Sequence, residues 1–174
     1  PLVSIKSQFL EQSDIELFRV TSEEPLYWRL VTLSEFDGLA WTPAEDPDFP
    51  APNGAISSQL LFPPAPEQTD FVEQRFEMTG LSGRALPAAY QPGALEIEGD
   101  AADDLEFDPR TADLQLQTPI EPGMTYTVQS AVPETSFEIL NSATPGDLGG
   151  EYTDTAIVSP DVRDLLDRWT RDAG

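Results

Sequence analysis

Short apolar segments with a two-residue period, each closed by a turn, constrain this chain more than any other feature. Successive side chains of a strand point to opposite faces, so such alternation marks a half-exposed antiparallel strand. Phe71-Val72-Glu73-Gln74-Arg75-Phe76-Glu77-Met78 sets Val72, Phe76 and Met78 on one face. Tyr126-Thr127-Val128-Gln129-Ser130-Ala131-Val132 does the same with Tyr126, Val128, Ser130 and Val132. Leu95-Glu96-Ile97-Glu98, Leu105-Glu106-Phe107 and Leu114-Gln115-Leu116-Gln117 alternate over shorter spans. Leu86 to Tyr90 is extended, because Pro87 and Pro92 exclude a helix.

The N-terminal third reads less evenly. Ile15 to Val20 alternates with a slip at Leu17-Phe18, as at a bulge. Tyr27-Trp28-Arg29-Leu30-Val31-Thr32-Leu33 is dense in aromatic and β-branched residues and predicts a central strand. Phe36-Asp37-Gly38 turns the chain into a short return strand, Leu39-Ala40-Trp41. Pro43 to Pro66 carries seven of the 17 prolines and predicts a loop, mobile or partner-binding.

Thr144 to Tyr152, with Gly146, Gly149 and Gly150, reads as a linker. One helix is expected after it. Ser159 suits the N-cap, Pro160 the first helical position, and Asp161 the positive end of the dipole. Val162, Leu165, Leu166 and Trp169 then form one apolar stripe. Six to nine short strands before one helix predict a mainly β fold. The expectation is an antiparallel β-sandwich or barrel-like domain over 1–143, followed by linker and amphipathic helix over 144–174.

Composition narrows the chemistry. The chain has no Cys and no His, which excludes thiolate nucleophiles, imidazole bases and thiolate metal sites within it. Net charge is −23, from 32 acidic and nine basic residues, and Lys6 is the single lysine. Such a surface repels nucleic acid and anionic lipid, and suits a salty exterior. No apolar run approaches the roughly 18 residues that span a bilayer. No cofactor or metal is implied. The chain starts at Pro1 rather than Met and is expected to be a segment of a longer protein.

Leu17-Phe18-Arg19-Val20, Tyr27-Trp28-Arg29-Leu30, Thr32-Leu33, Phe36-Asp37-Gly38 and Trp41 together resemble a run found in one bacterial family, the membrane-anchored transglutaminase-like proteins of the TgpA type. Leu86-Pro87-Ala88-Ala89-Tyr90 and Gly123-Met124-Thr125-Tyr126-Thr127-Val128-Gln129-Ser130 are similar to later stretches of that family, and the helix from Pro160 to its lead-in helix. The resemblance implies membrane spans, then a mostly β extracytoplasmic region, then a papain-related catalytic core with a Cys-His-Asp triad. No residue here matches the triad, so no catalytic position is carried over.

The expected function is therefore a non-catalytic accessory or scaffold domain that positions a catalytic core or its protein substrate. The resemblance places it outside the plasma membrane, anchored through segments beyond this chain. Its implied partner is the catalytic transglutaminase-like domain of the same parent chain. The alternatives are a cell-wall glycan- or peptide-binding β module and a small carboxylate-dependent hydrolase. Tyr27, Trp28, Arg29, Phe36, Asp37 and Trp41 form a candidate binding or structural cluster, read mainly as core because such rings bury large area. Arg29 is expected to pair internally with Asp37 or Glu16. The run Glu96, Glu98, Asp100, Asp103, Asp104, Glu106, Asp108 lacks the order of a calcium loop and reads as a solvated face. Val162, Leu165, Leu166 and Trp169 are a candidate interdomain face, expected to pack on this chain.

Overall fold

The computed structural model describes residues 14–38, 40–43, 56, 69–133, 135–144 and 158–171. The expectations for the Pro43–Pro66 loop and the 144–152 linker fall almost wholly outside these residues. The chain divides into two compact units, one of Pro1–Ser34 with Pro43–Glu134 and one of Glu35–Thr42 with Thr135–Gly174.

The first unit is built on an antiparallel four-stranded sheet. Its order is β1 (Phe18–Ser22), β5 (Thr69–Met78), β10 (Thr125–Pro133), β7 (Pro92–Ile97). β5 pairs with β1 from Phe18↔Met78 to Ser22↔Gln74, and with β10 from Thr125↔Glu77 to Pro133↔Thr69. The predicted two-residue period holds along β5, where Val72, Gln74, Phe76 and Met78 are buried and their neighbours exposed. The chain enters β1 differently from the predicted bulge. The Leu17 carbonyl accepts the amides of Thr79, Gly80 and Leu81 at 3.1, 3.0 and 2.9 Å. Gly80 must be glycine, since a Cβ there would stand 2.6 Å from the Glu16 carbonyl oxygen.

Two short antiparallel pairs contribute to the same core. β2 (Trp28–Arg29) pairs with β6 (Ala88–Ala89), and β8 (Leu105–Asp108) with β9 (Asp113–Leu116). Leu86, Ala88, Leu105, Phe107, Leu114 and Leu116 meet Phe76, Met78, Leu95, Tyr126 and Val128 in one cluster. Phe76 sits at its centre, stacked on Tyr126 at 4.9 Å, with Phe18 at 5.7 Å and the edge of Trp28 at 5.8 Å. Burying one such ring stabilises the fold by about 1.5–3 kcal/mol. The fold is mainly β, antiparallel and sandwich-like. Among the described residues it does not close into a barrel, because β1 and β7 end the sheet.

A polar tether joins the sheet to β6 inside this core. Gln74 is fully buried; its Oε1 accepts the Ala89 amide at 3.1 Å and the Ser130 hydroxyl at 3.2 Å. Its Nε2 donates to the Val72 carbonyl at 2.6 Å, and Ser130 Oγ also reaches the Ala89 carbonyl at 2.9 Å. Buried polar groups persist only when paired in this way.

Three expectations are corrected. The predicted strand from Tyr27 to Leu33 reduces to Trp28–Arg29. Beyond it the Thr32 amide and hydroxyl both bond the Asp113 carboxylate, at 2.7 and 2.8 Å, so this amide goes to a side chain rather than a neighbouring strand. On β10 the inward set includes Ala131, and the pairing with β7 shifts register between Gln129 and Ser130. A short helix absent from the prediction, α1 (Phe137–Ser142), follows β10, with Ser136 Oγ accepting the Ile139 amide.

The second unit holds α1, the helix α2 (Pro160–Thr170) and the hairpin β3 (Glu35–Phe36) with β4 (Trp41–Thr42). Asp37 closes that hairpin by accepting the Ala40 amide at 2.8 Å. The return strand at Trp41 is as predicted, and so is the helix starting at Pro160 after Ser159.

Candidate functional site

Arg29 is held by a carbonyl, a carboxylate and an aromatic ring. β2 ends at this residue, and its Nη2 donates to the Ala112 carbonyl at 2.7 Å. Nε lies 3.5 Å from Asp113 Oδ1, and the guanidinium sits over the Tyr90 ring, 4.9 Å from its centre. Ala112 adopts φ 58 at the turn between β8 and β9, which aims its carbonyl for this contact. Burial lowers the Arg29 pKa from its usual value, while Asp113 opposes that shift. The expected partners Asp37 and Glu16 are thus corrected to Asp113. Glu16 instead pairs with Arg19, at 2.9 Å.

Beside this cluster lies a cavity of about 60 Å³ between Leu30, Val31, Asp108, Thr111, Asp113 and Gln115. That is room for a water or two and too little for a sugar ring. Asp108 is buried against Arg110, at 3.3 Å, and also accepts the Arg110 amide. Both carboxylates are therefore occupied by arginine. The expectation of a solvated acidic face is corrected at Asp108, and holds for Glu96, Glu98 and Asp103, which are exposed. Asp104 accepts the Thr118 hydroxyl at 2.9 Å and Glu106 the Gln115 amide at 3.0 Å. Among the described residues no group of three acidic side chains is placed to hold a metal.

The predicted aromatic cluster resolves into different environments. Trp28 packs on the core, whereas Tyr27 is 98% exposed. In the other unit Phe36 and Trp41 stack across the hairpin at 5.0 Å, leaving Trp41 56% exposed. The core reading therefore holds for Trp28 and not for Tyr27 or Trp41. Sequence reasoning missed Tyr90 and Asp113 as the partners of Arg29. Asp113 begins an alternating strand like any outward polar residue, so only the fold could pair it with position 29.

Helix α2 carries the second candidate. No residue of the helix is buried among the described residues. Leu165 is half-buried, and Val162, Leu166 and Trp169 are exposed, Trp169 by 73%. α2 spans 11 residues, and among the described residues no helix is long and apolar enough to cross a membrane.

Comparison with known proteins gives the setting for these features. Residues 3–136 match the family model of the TgpA N-terminal domain. The crystal structure of the periplasmic domain of TgpA from Pseudomonas aeruginosa is similar at 22% identity and TM-score 0.50, covering 89% of this chain and 49% of that one. The same domain bound to ethylmercury is similar at 22% identity and TM-score 0.51, covering 89% and 50%. At that identity the likeness establishes the fold. The chain spans about half the length of these two structures. No curated protein matches it.

Proposed function

Because the chain belongs to the TgpA N-terminal domain family, we propose that it is a non-catalytic extracytoplasmic accessory domain of a membrane-anchored transglutaminase-like enzyme. The family match over residues 3–136 carries this reading. The absence of Cys and His supports it, since acyl transfer of the papain type needs a thiolate and an imidazole. The domain's work is then positional: it holds the catalytic core, or the protein substrate, in place outside the membrane. The open stripe of α2 suits the first of these roles, because an exposed apolar face beside a polar one is what a docked neighbour covers.

Removing residues 1–174 from the parent protein tests the proposal. The truncated enzyme should keep its turnover of a small ester or amide and lose turnover of a protein substrate. The 174-residue chain alone should show no acyl-transfer or amidase activity. Turnover by the purified chain would overturn the reading.

A second reading, a cell-wall glycan- or peptide-binding module, rests on the exposed Trp41 stacked on Phe36. Tryptophan fluorescence during titration with cell-wall fragments decides it, with Trp41→Ala as the control. The carboxylate hydrolase has no comparable support: of the acidic pair lining one cavity, each member is held by an arginine.

A further inference from the structure

Nine cationic side chains face 32 carboxylates, so even complete one-to-one pairing leaves an excess of 23 negative charges. No conformational change can relieve that excess. The cations are also unevenly placed. None occurs between Arg29 and Arg75, between Arg84 and Arg110, or between Arg110 and Arg163. These stretches supply β7, β8, β9, β10 and most of β5.

On the outer face of the sheet the carboxylates outnumber the cations. Across the outer face of the sheet, Glu77 lies opposite Thr125, Glu73 opposite Gln129, and Glu96 opposite Thr127. Arg75 stands among them and already serves Glu98 at 2.8 Å, while Arg19 is shared by Glu16 and Glu77. Glu73 and Glu96 line one shallow groove on this face with Thr127 and Gln129. At the turn of the β8–β9 hairpin, Asp108 and Asp113 are cross-strand partners that engage Arg110 and Arg29, so those two cations are committed there. The carboxylates left over repel one another through the summed field of the surface, and that repulsion grows as screening weakens.

We infer that the folded state of this domain depends on a dense cation atmosphere, and that the domain is built to work in concentrated salt. In ordinary proteins surface ion pairs lose strength as salt rises. Here repulsion outnumbers attraction, so the sign reverses. At about 0.1 M salt charges interact over roughly 10 Å, which spans neighbouring strands; at about 1 M the range falls to roughly 3 Å and the repulsion is quenched. The property belongs to the whole charge distribution and invokes no discrete metal site.

Thermal unfolding of the chain in KCl tests this. The midpoint should rise continuously from about 0.1 M to about 2 M KCl, by on the order of 10 °C. A Glu73→Lys, Glu96→Lys variant, altered only on the exposed sheet face, should start higher at low salt and gain less from KCl. A midpoint that is flat or falling with KCl would overturn the inference. So would an equal rise in sucrose of the same osmolality, which would assign the effect to solute exclusion. Saturation of the whole effect by one equivalent of calcium would also overturn it, in favour of a discrete site.

Discussion

Strand β5 and helix α2 each carry one regular apolar stripe, and the two stripes end in opposite environments. On β5, Phe76 and Met78 face a second layer made by β6, β8 and β9, and Val72 is buried on the same strand face. On α2, Val162, Leu166 and Trp169 remain exposed. Periodicity names the face that wants covering. It does not say whether the same chain supplies the cover. The difference separates residues buried in the core of the first unit from residues exposed among the described ones.

Phe76→Ala should show the largest effect, because the ring contacts Phe18, Trp28 and Tyr126 and is fully buried. A loss of about 3–5 kcal/mol is expected in urea unfolding. A loss below about 1 kcal/mol would mean that β5 is no better covered than α2. Gln74→Leu keeps much of the volume but strips the Ala89 amide of its acceptor, and should cost about 1–3 kcal/mol. If it is neutral, the tether between sheet and β6 contributes nothing.

Tyr126→Phe sharpens the same side of the comparison. It leaves the Pro87 carbonyl without its 2.6 Å hydroxyl donor, and should cost about 1 kcal/mol near neutral pH. Burial pushes the Tyr126 phenol above its usual pKa. The folded state therefore favours the neutral phenol. Its contribution is complete below the unfolded value of about 10 and is lost as pH rises beyond it. The variant should unfold less steeply with alkali than the parent chain; equal slopes would argue that the phenol is reached by solvent. Trp169→Ser should change stability least, by within about 0.5 kcal/mol, since nothing described covers the ring.

Much of this architecture was legible in the sequence where one local rule decides the outcome. β5, β7, β8 and β9 follow the two-residue period, and α2 follows its cap and stripe. Legibility failed where a distant side chain intervened. Tyr27 to Leu33 has every local mark of a strand, yet the Thr32 amide is taken by Asp113, which lies 81 residues away. Gln74 occupies an inward position that a hydrophobic pattern reads as a gap; its partners Ala89 and Ser130 come from separate strands. The candidate site shows the same division. The α2 stripe and the Arg29 position could be named from residue types, but Asp113 and Tyr90 could not be assigned to Arg29 before the fold brought them together.

The positional role is tested most directly by titrating the separately produced catalytic domain of the parent enzyme into this chain by calorimetry. The account predicts saturable one-to-one binding that Leu166→Asp with Trp169→Asp weakens at least about tenfold, a change of about 1.4 kcal/mol, without moving the unfolding midpoint. Absence of binding, or undiminished binding by the doubly substituted chain, would contradict it.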